Sequence, residues 1–210
     1  MPASLIHLVR HGEVYNPGRV LYGRLPGFGL SPLGHEMAAT SAAAFGAHPI
    51  TRLYASPLQR TQESAKPWAD AFGLEIHTDE RLIEPTNGFE GSTVGRKMLS
   101  RPRSWPLMVN PLKPSWGEAY VSIVARMLAA VETAWAATDG GEVVLVSHQL
   151  PIWTVHRSLA GEKLYHDPRR RRCTLSSVTT LERVGARFVE VGYQDPAREL
   201  AASATDLGAV

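Results

Sequence analysis

Two apolar runs of strand length, each ending on a histidine, constrain this chain most. Leu5-Ile6-His7-Leu8-Val9 leads into Arg10-His11-Gly12-Glu13, and Glu142-Val143-Val144-Leu145-Val146 leads into Ser147-His148. Continuous Val, Ile and Leu runs read as strands buried on both faces, the habit of parallel sheets covered by helices. Ligands of such sheets bind beyond the carboxyl ends of the strands. A third segment, Leu53-Tyr54-Ala55, gives way to Ser56-Pro57-Leu58-Gln59-Arg60. Here Ser56 reads as an N-cap and Pro57 as the first helical residue. Arg60 then falls in the first turn, where unpaired N–H groups and the helix dipole favour an anion. If the three strands are neighbours, Arg10, His11, Arg60 and His148 meet in one pocket. The set suits phosphate. Arginines grip its oxygens in forked hydrogen bonds, and His11 stands where it can attack phosphorus.

The rest of the chain reads as α/β. One helix is expected from Ser31-Pro32 to about Gly46, and another from Pro57 to about Phe72, kinked at Pro67. Ile76-His77-Thr78 reads as a short edge strand. A later helix starts near Gly117, with Val121, Val124, Leu128, Val131 and Trp135 as its core face. Leu175 to Leu181 and Arg187 to Tyr193 read as a closing hairpin, turning at Val184-Gly185-Ala186. From Pro196 the tail reads as a loose helix or disorder. The expectation is a three-layer α/β/α sandwich with a mostly parallel central sheet. It forms one domain over 1–195, followed by a tail over 196–210.

Composition sets the function classes. With 210 residues and a formal charge of +2, the chain is an ordinary globular length and no overall nucleic-acid binder. Its single cysteine, Cys173, excludes an internal disulfide and suits a reducing compartment. No basic leader precedes the first strand, and no apolar stretch reads as long enough to cross a membrane. A cytoplasmic protein is expected. Residues 84–116 lack periodicity and carry Arg96, Lys97, Arg101, Arg103 and Lys113 among prolines and tryptophans. So long a segment inside a domain reads as a lid whose cations meet an acidic substrate.

Five segments in order carry a family resemblance. They are Arg10-His11-Gly12-Glu13, Leu30-Ser31-Pro32-Leu33-Gly34, Ser56-Pro57-Leu58-Gln59-Arg60-Thr61, Leu82-Ile83-Glu84 with Gly88-Phe89-Glu90-Gly91, and Val146-Ser147-His148. Together they resemble the histidine phosphatase superfamily, also called phosphoglycerate mutase-like. The resemblance implies a metal-independent phosphatase that hydrolyses phosphate monoesters through a phosphohistidine on His11, without cofactor. It implies Glu84 as proton donor, with Glu90 its competitor, and His148 as a further donor to phosphate if protonated. Arg10 and Arg60 bind the phosphate. Asn16, one residue earlier than the family's asparagine, and Gln149, where most members have glycine, are implied as further contacts.

The substrate is expected to be a small phosphorylated molecule, and no nucleic acid or membrane is expected as partner. Sugar phosphates, phosphoglycerates, nucleotides and phosphoproteins all fit. Three other readings stay open: a cofactor-dependent phosphoglycerate mutase, a catalytically silent phospho-ligand binding module, and a nucleic-acid-binding protein using the Arg169 to Arg172 run, against which the near-neutral net charge argues. The run Pro85-Thr86-Asn87-Gly88 differs from that of mutases and argues for hydrolysis. Glu13 reads as a possible loop anchor, His35 and His48 as exposed helix residues, and Arg169 to Arg172 as a solvated turn or an interface. His7 gives no metal-ligand pattern.

Overall fold

Leu5–Arg10 forms β1, and every residue after Leu5 is buried. In the computed structural model, which describes residues 1–92 and 117–206, this strand lies inside a six-stranded sheet. Its neighbours are β4 (Glu142–Ser147), in parallel, and β5 (Val178–Val184), antiparallel. β4 also pairs in parallel with β2 (Ile50–Ala55), which carries the short parallel edge strand β3 (Ile76–Thr78). On the other side β6 (Arg187–Gln194) closes an antiparallel hairpin with β5. The spatial order is β3-β2-β4-β1-β5-β6.

Alternation along the central strands separates two cores. Ile6, Leu8, Val143 and Leu145 face one cluster with residues of α3 (Tyr120–Ala137) and α4 (Gln149–Leu159). Val9, Val144 and Val146 face the other, with Ala42 and Phe45 from α1 (Pro32–Ala44) and its end, and Ala65 and Trp68 from α2 (Gln59–Phe72). The sheet is therefore covered on both faces, as the apolar runs required, and the fold is the expected α/β sandwich. The parallel strands β1, β2 and β4 all end at the same edge. That edge receives His11, Ser56 and His148.

Several local expectations are corrected. Ser56 is not a helix cap. α2 begins at Gln59 behind Leu58, with no side-chain cap, and Pro67 lies within it. The buried face of α3 is Ile123, Met127, Ala130, Val131 and Ala134, rotated from the expected stripe; Val121 is exposed. At 18 residues and a mean hydropathy of 1.2, α3 is also long and apolar enough to cross a membrane by those two measures, against expectation. Here one face of it packs on the sheet. His48 lies beyond α1, not on it, and is half-buried. The tail forms a short helix, α5 (Arg198–Ala201), and Ala197, Leu200 and Ala204 pack with Met37 of α1. Most of the expected lid, with all five of its cations, lies outside the described residues.

Candidate active site

The site starts from the turn that follows β1. His11 is wholly buried, and its Nδ1 lies 2.7 Å from the Gly12 carbonyl. A carbonyl can only accept, so the ring hydrogen sits on Nδ1 and Nε2 keeps its lone pair. The turn is pressed against α1. A Cβ on Gly12 would come within 2.3 Å of the Gly34 carbonyl oxygen, and one on Gly34 within 2.0 Å of that of Glu13. Only glycine at both positions allows this approach. Glu13 fastens the turn further by accepting from the Ser31 hydroxyl and, at 2.5 Å, from the Thr205 N–H. It is the loop anchor it read as.

Arg10 and Arg60 flank His11. Burial, then the charges of Arg60 and Arg10, hold the His11 pKa well below 6.5, so the imidazole is neutral. Arg60 is buried beneath Tyr22, with its guanidinium 4.8 Å from the ring centre and Nη2 donating to the Gly23 carbonyl at 2.8 Å. Tyr22 is itself pushed up to about 12 by burial. His148 crosses His11 edge-on, with ring centres 5.3 Å apart, and its Nε2 lies 2.9 Å from the Ser56 hydroxyl. Burial and Arg60 also hold His148 well below 6.5. Its role as a donor is conditional on protonation; this environment favours the neutral ring, which offers one N–H.

Glu84 faces this group from the segment after β3. It is 1% exposed, and burial raises its pKa to about 6 against the pull of Arg60, Arg171 and Arg10. Its backbone is pinned. Ser147 Oγ donates to the Leu82 carbonyl at 2.7 Å, and Arg24 Nε to the carbonyl of Glu84 itself at 2.5 Å. Glu90 differs: half-buried, it accepts from the Arg24 and Asn87 N–H groups and braces a turn.

Buried polar atoms normally find partners. Among the described residues, those without a hydrogen-bond partner include Nε of both arginines, Nε2 of His11, Nδ1 of His148 and both oxygens of Glu84. These five side chains converge, with His148 Nδ1 3.3 Å from Glu84 Oε2, and gather two fixed positive charges, a bare imidazole nitrogen and a carboxyl group in one buried cluster.

The sequence model of the histidine phosphatase superfamily (branch 1) matches residues 6–196. This chain belongs to that superfamily. The uncharacterized protein Rv0525 of Mycobacterium tuberculosis is 52% identical over 194 residues, covering 91% of this chain and 96% of its own. The probable phosphoglycerate mutase GpmB of Yersinia enterocolitica is 31% identical over 180 residues, covering 82% and 83%. Among solved structures, the mycobacterial glucosyl-3-phosphoglycerate phosphatase Rv2419c with VO3 aligns at a TM-score of 0.74 and 25% identity, covering 89% and 96%.

Around this cluster, other residues fall less simply. The Asn16 amide exchanges hydrogen bonds with the Val20 backbone at 2.8 and 2.9 Å, stapling its loop. Gln149 begins α4, so its N–H points from a helix N-terminus. Its side chain runs between Arg171, at 3.2 Å, and the Cys173 carbonyl, at 3.3 Å. Arg171 was hidden in the Arg169–Arg172 run. It turns inward between Gln149 and His166, and Glu84 feels its charge. The solvated reading holds for Arg169, not for Arg171. Asp206, which no motif flagged, pairs with Arg10. Far from His11 along β1, His7, His48 and Glu142 bring three ligand-type atoms within 4.8 Å of one another. His7 Nε2 and His48 Nδ1 each lie 2.8 Å from one Glu142 oxygen, a hydrogen-bonded clasp.

Proposed function

We propose that the chain hydrolyses small phosphate monoesters through a phosphohistidine on His11, with no metal. The observation that carries the reading is the buried, bare Nε2 of His11, its tautomer set by Gly12, between two arginines. In the first step the Nε2 lone pair attacks phosphorus in line. The N–P bond forms, the P–O bond to the leaving group breaks, and Glu84 gives its proton to the departing oxygen. In the second step Glu84 takes a proton from water, whose oxygen attacks phosphorus. The N–P bond breaks, its electron pair returns to Nε2, and phosphate leaves. One water is consumed and Glu84 is restored. A carboxyl group held at about 6 serves as acid and as base near neutral pH. The arginines and the His148 N–H balance charge on the phosphoryl oxygens.

Proteins similar to this chain are named for phosphoglycerate or a glucosylated form of it. This supports a small phosphorylated acid as the substrate class, and it keeps the mutase as a second reading. The test is a panel of phosphate esters ranked by kcat/KM in EDTA, with 3-phosphoglycerate assayed with and without 2,3-bisphosphoglycerate. Turnover in EDTA, inhibition by vanadate and phosphoryl label on His11 are expected. Label elsewhere, turnover surviving His11→Ala, or activity that returns only with a divalent ion overturns the mechanism. Isomerisation outrunning hydrolysis selects the mutase.

A further inference from the structure

An arginine presents its five N–H groups on a rigid plane. Its two Nη groups make an end-on fork; Nε and Nη2 make a side-on fork. In Arg10 the end-on fork is filled. Nη1 donates to Asp206 Oδ2 at 2.8 Å and Nη2 to Oδ1 at 2.5 Å. The second Nη1 hydrogen goes to the Cys173 carbonyl at 2.7 Å. The side-on fork remains, and its Nε is buried without a hydrogen-bond partner among the described residues. Asp206 arrives on a fastened tail. Ala197, Leu200 and Ala204 pack with Met37 of α1, and the Thr205 N–H reaches Glu13 of the nucleophile turn. The family match ends at residue 196, so this contact lies beyond it.

We propose that Asp206 is a positioning residue of the phosphate site: it takes the end-on fork of Arg10 and thereby aims the side-on fork at the phosphoryl oxygens. The inference rests on the reading of this pocket as a phosphate site. A carboxylate sitting in the phosphate's own place would instead engage the groups around it. Asp206 makes its hydrogen bonds to Arg10 alone among Arg10, Arg60, His11 and His148. Burial discourages the charge on Arg10, and Asp206 outweighs that, raising its pKa above the ordinary value. The tail is thus part of the active site.

The test uses the full chain with Asp206→Ala and Asp206→Asn. It reads kcat and KM for p-nitrophenyl phosphate, the Kd for orthovanadate, and Tm. Misplaced binding groups cost up to about a hundredfold. Asp206→Ala is expected to weaken vanadate and lower kcat/KM by roughly ten- to a hundredfold. Asp206→Asn, which keeps one acceptor in place, recovers part of both. Tighter vanadate binding or faster turnover in Asp206→Ala makes the carboxylate a tethered competitor and overturns the proposal. So does a drop in Tm with both readouts unchanged. If Asp206→Ala does not fold, Thr205→Pro removes the N–H given to Glu13 and keeps the carboxylate. Smaller losses in the same direction support the proposal, and none overturns it. A wild-type chain that hydrolyses no ester sinks the phosphatase reading separately, since vanadate affinity still reports whether Asp206 shapes Arg10.

Discussion

Glu84 is a carboxyl group kept where its charge is unwelcome. Its folded pKa of about 6 exceeds the ordinary 4.5 because it is buried. The folded chain therefore holds this proton more tightly than the unfolded chain. The resulting stability is full below 4.5 and is lost as pH rises through 6, a difference of about 2 kcal/mol. Glu84→Gln removes that dependence. Relative to wild type, the variant is expected to gain about 2 kcal/mol between pH 4 and pH 7 in urea titrations. Its chemistry should fail selectively. An alkyl phosphate releases a basic alkoxide that needs a proton, while p-nitrophenyl phosphate releases a stable phenolate. Formation of phosphohistidine should slow by about a hundredfold or more for the alkyl ester and far less for the phenyl ester. Dephosphorylation should slow equally for both. Equal effects on the first step would assign the acid role elsewhere. At this scale the sequence was most legible where types and order carried meaning: His11, Arg10, Arg60, Glu84 and His148 do converge. Arg171 and Asp206 were not legible. One lay in a charge run that usually faces water, and the other gained its meaning only when the tail folded back.

Elements place these residues, and the contact between the β1 turn and α1 is the tightest placement. At Gly34 an added methyl meets backbone, which cannot swing aside as a side chain can. Gly34→Ala is expected to cost roughly 1–3 kcal/mol by overpacking and to move the His11 turn. Gly73, the left-handed C-cap of α2 with φ +65, offers a control, since nothing lies within 4 Å of its added Cβ. Gly73→Ala is expected to cost about 1 kcal/mol from backbone strain alone. Steady-state kinetics should then show kcat/KM down about tenfold or more for Gly34→Ala and unchanged for Gly73→Ala. Similar kinetics for both would mean that the glycine contact does not hold His11 in place. Strands were legible from their apolar runs because burial on both faces leaves little choice of residue. The face of α3 was not. Alanines at 130 and 134 and Met127 carry its packing, and a count of large aliphatics rotates the helix toward exposed Val121. Ser56 misled for a related reason: a serine before proline has the form of a cap, but its hydroxyl is bound to His148.

Across the whole molecule, three buried histidines share one condition. Burial holds His7, His11 and His148 below the ordinary 6.5, so the folded chain keeps them neutral while the unfolded chain protonates them. Stability contributed this way is present above 6.5 and falls as pH drops below it, by at most about 4 kcal/mol per pH unit for three protons. Below 6 the Glu84 proton works in the opposite sense and softens the slope. Unfolding free energy measured from pH 7 to pH 5 should therefore fall steeply, and saturating vanadate should offset part of the fall. A flat profile would show that these rings protonate freely in the folded chain.

The place of β1 in the sheet has a consequence in time. Leu5 pairs with Glu142 on one side and Glu182 on the other. During synthesis at about 5–20 residues per second, the strand waits on the order of ten seconds for its first neighbour. Through that interval its apolar row has nothing to pair with, and an unpaired apolar strand is a template for other chains. His11 is made long before the carboxylate that grips its neighbouring arginine, which lies 196 residues beyond that arginine. A nascent chain therefore carries His11 long before it carries the residues that converge on it, and its slowest search is for partners written more than a hundred residues downstream.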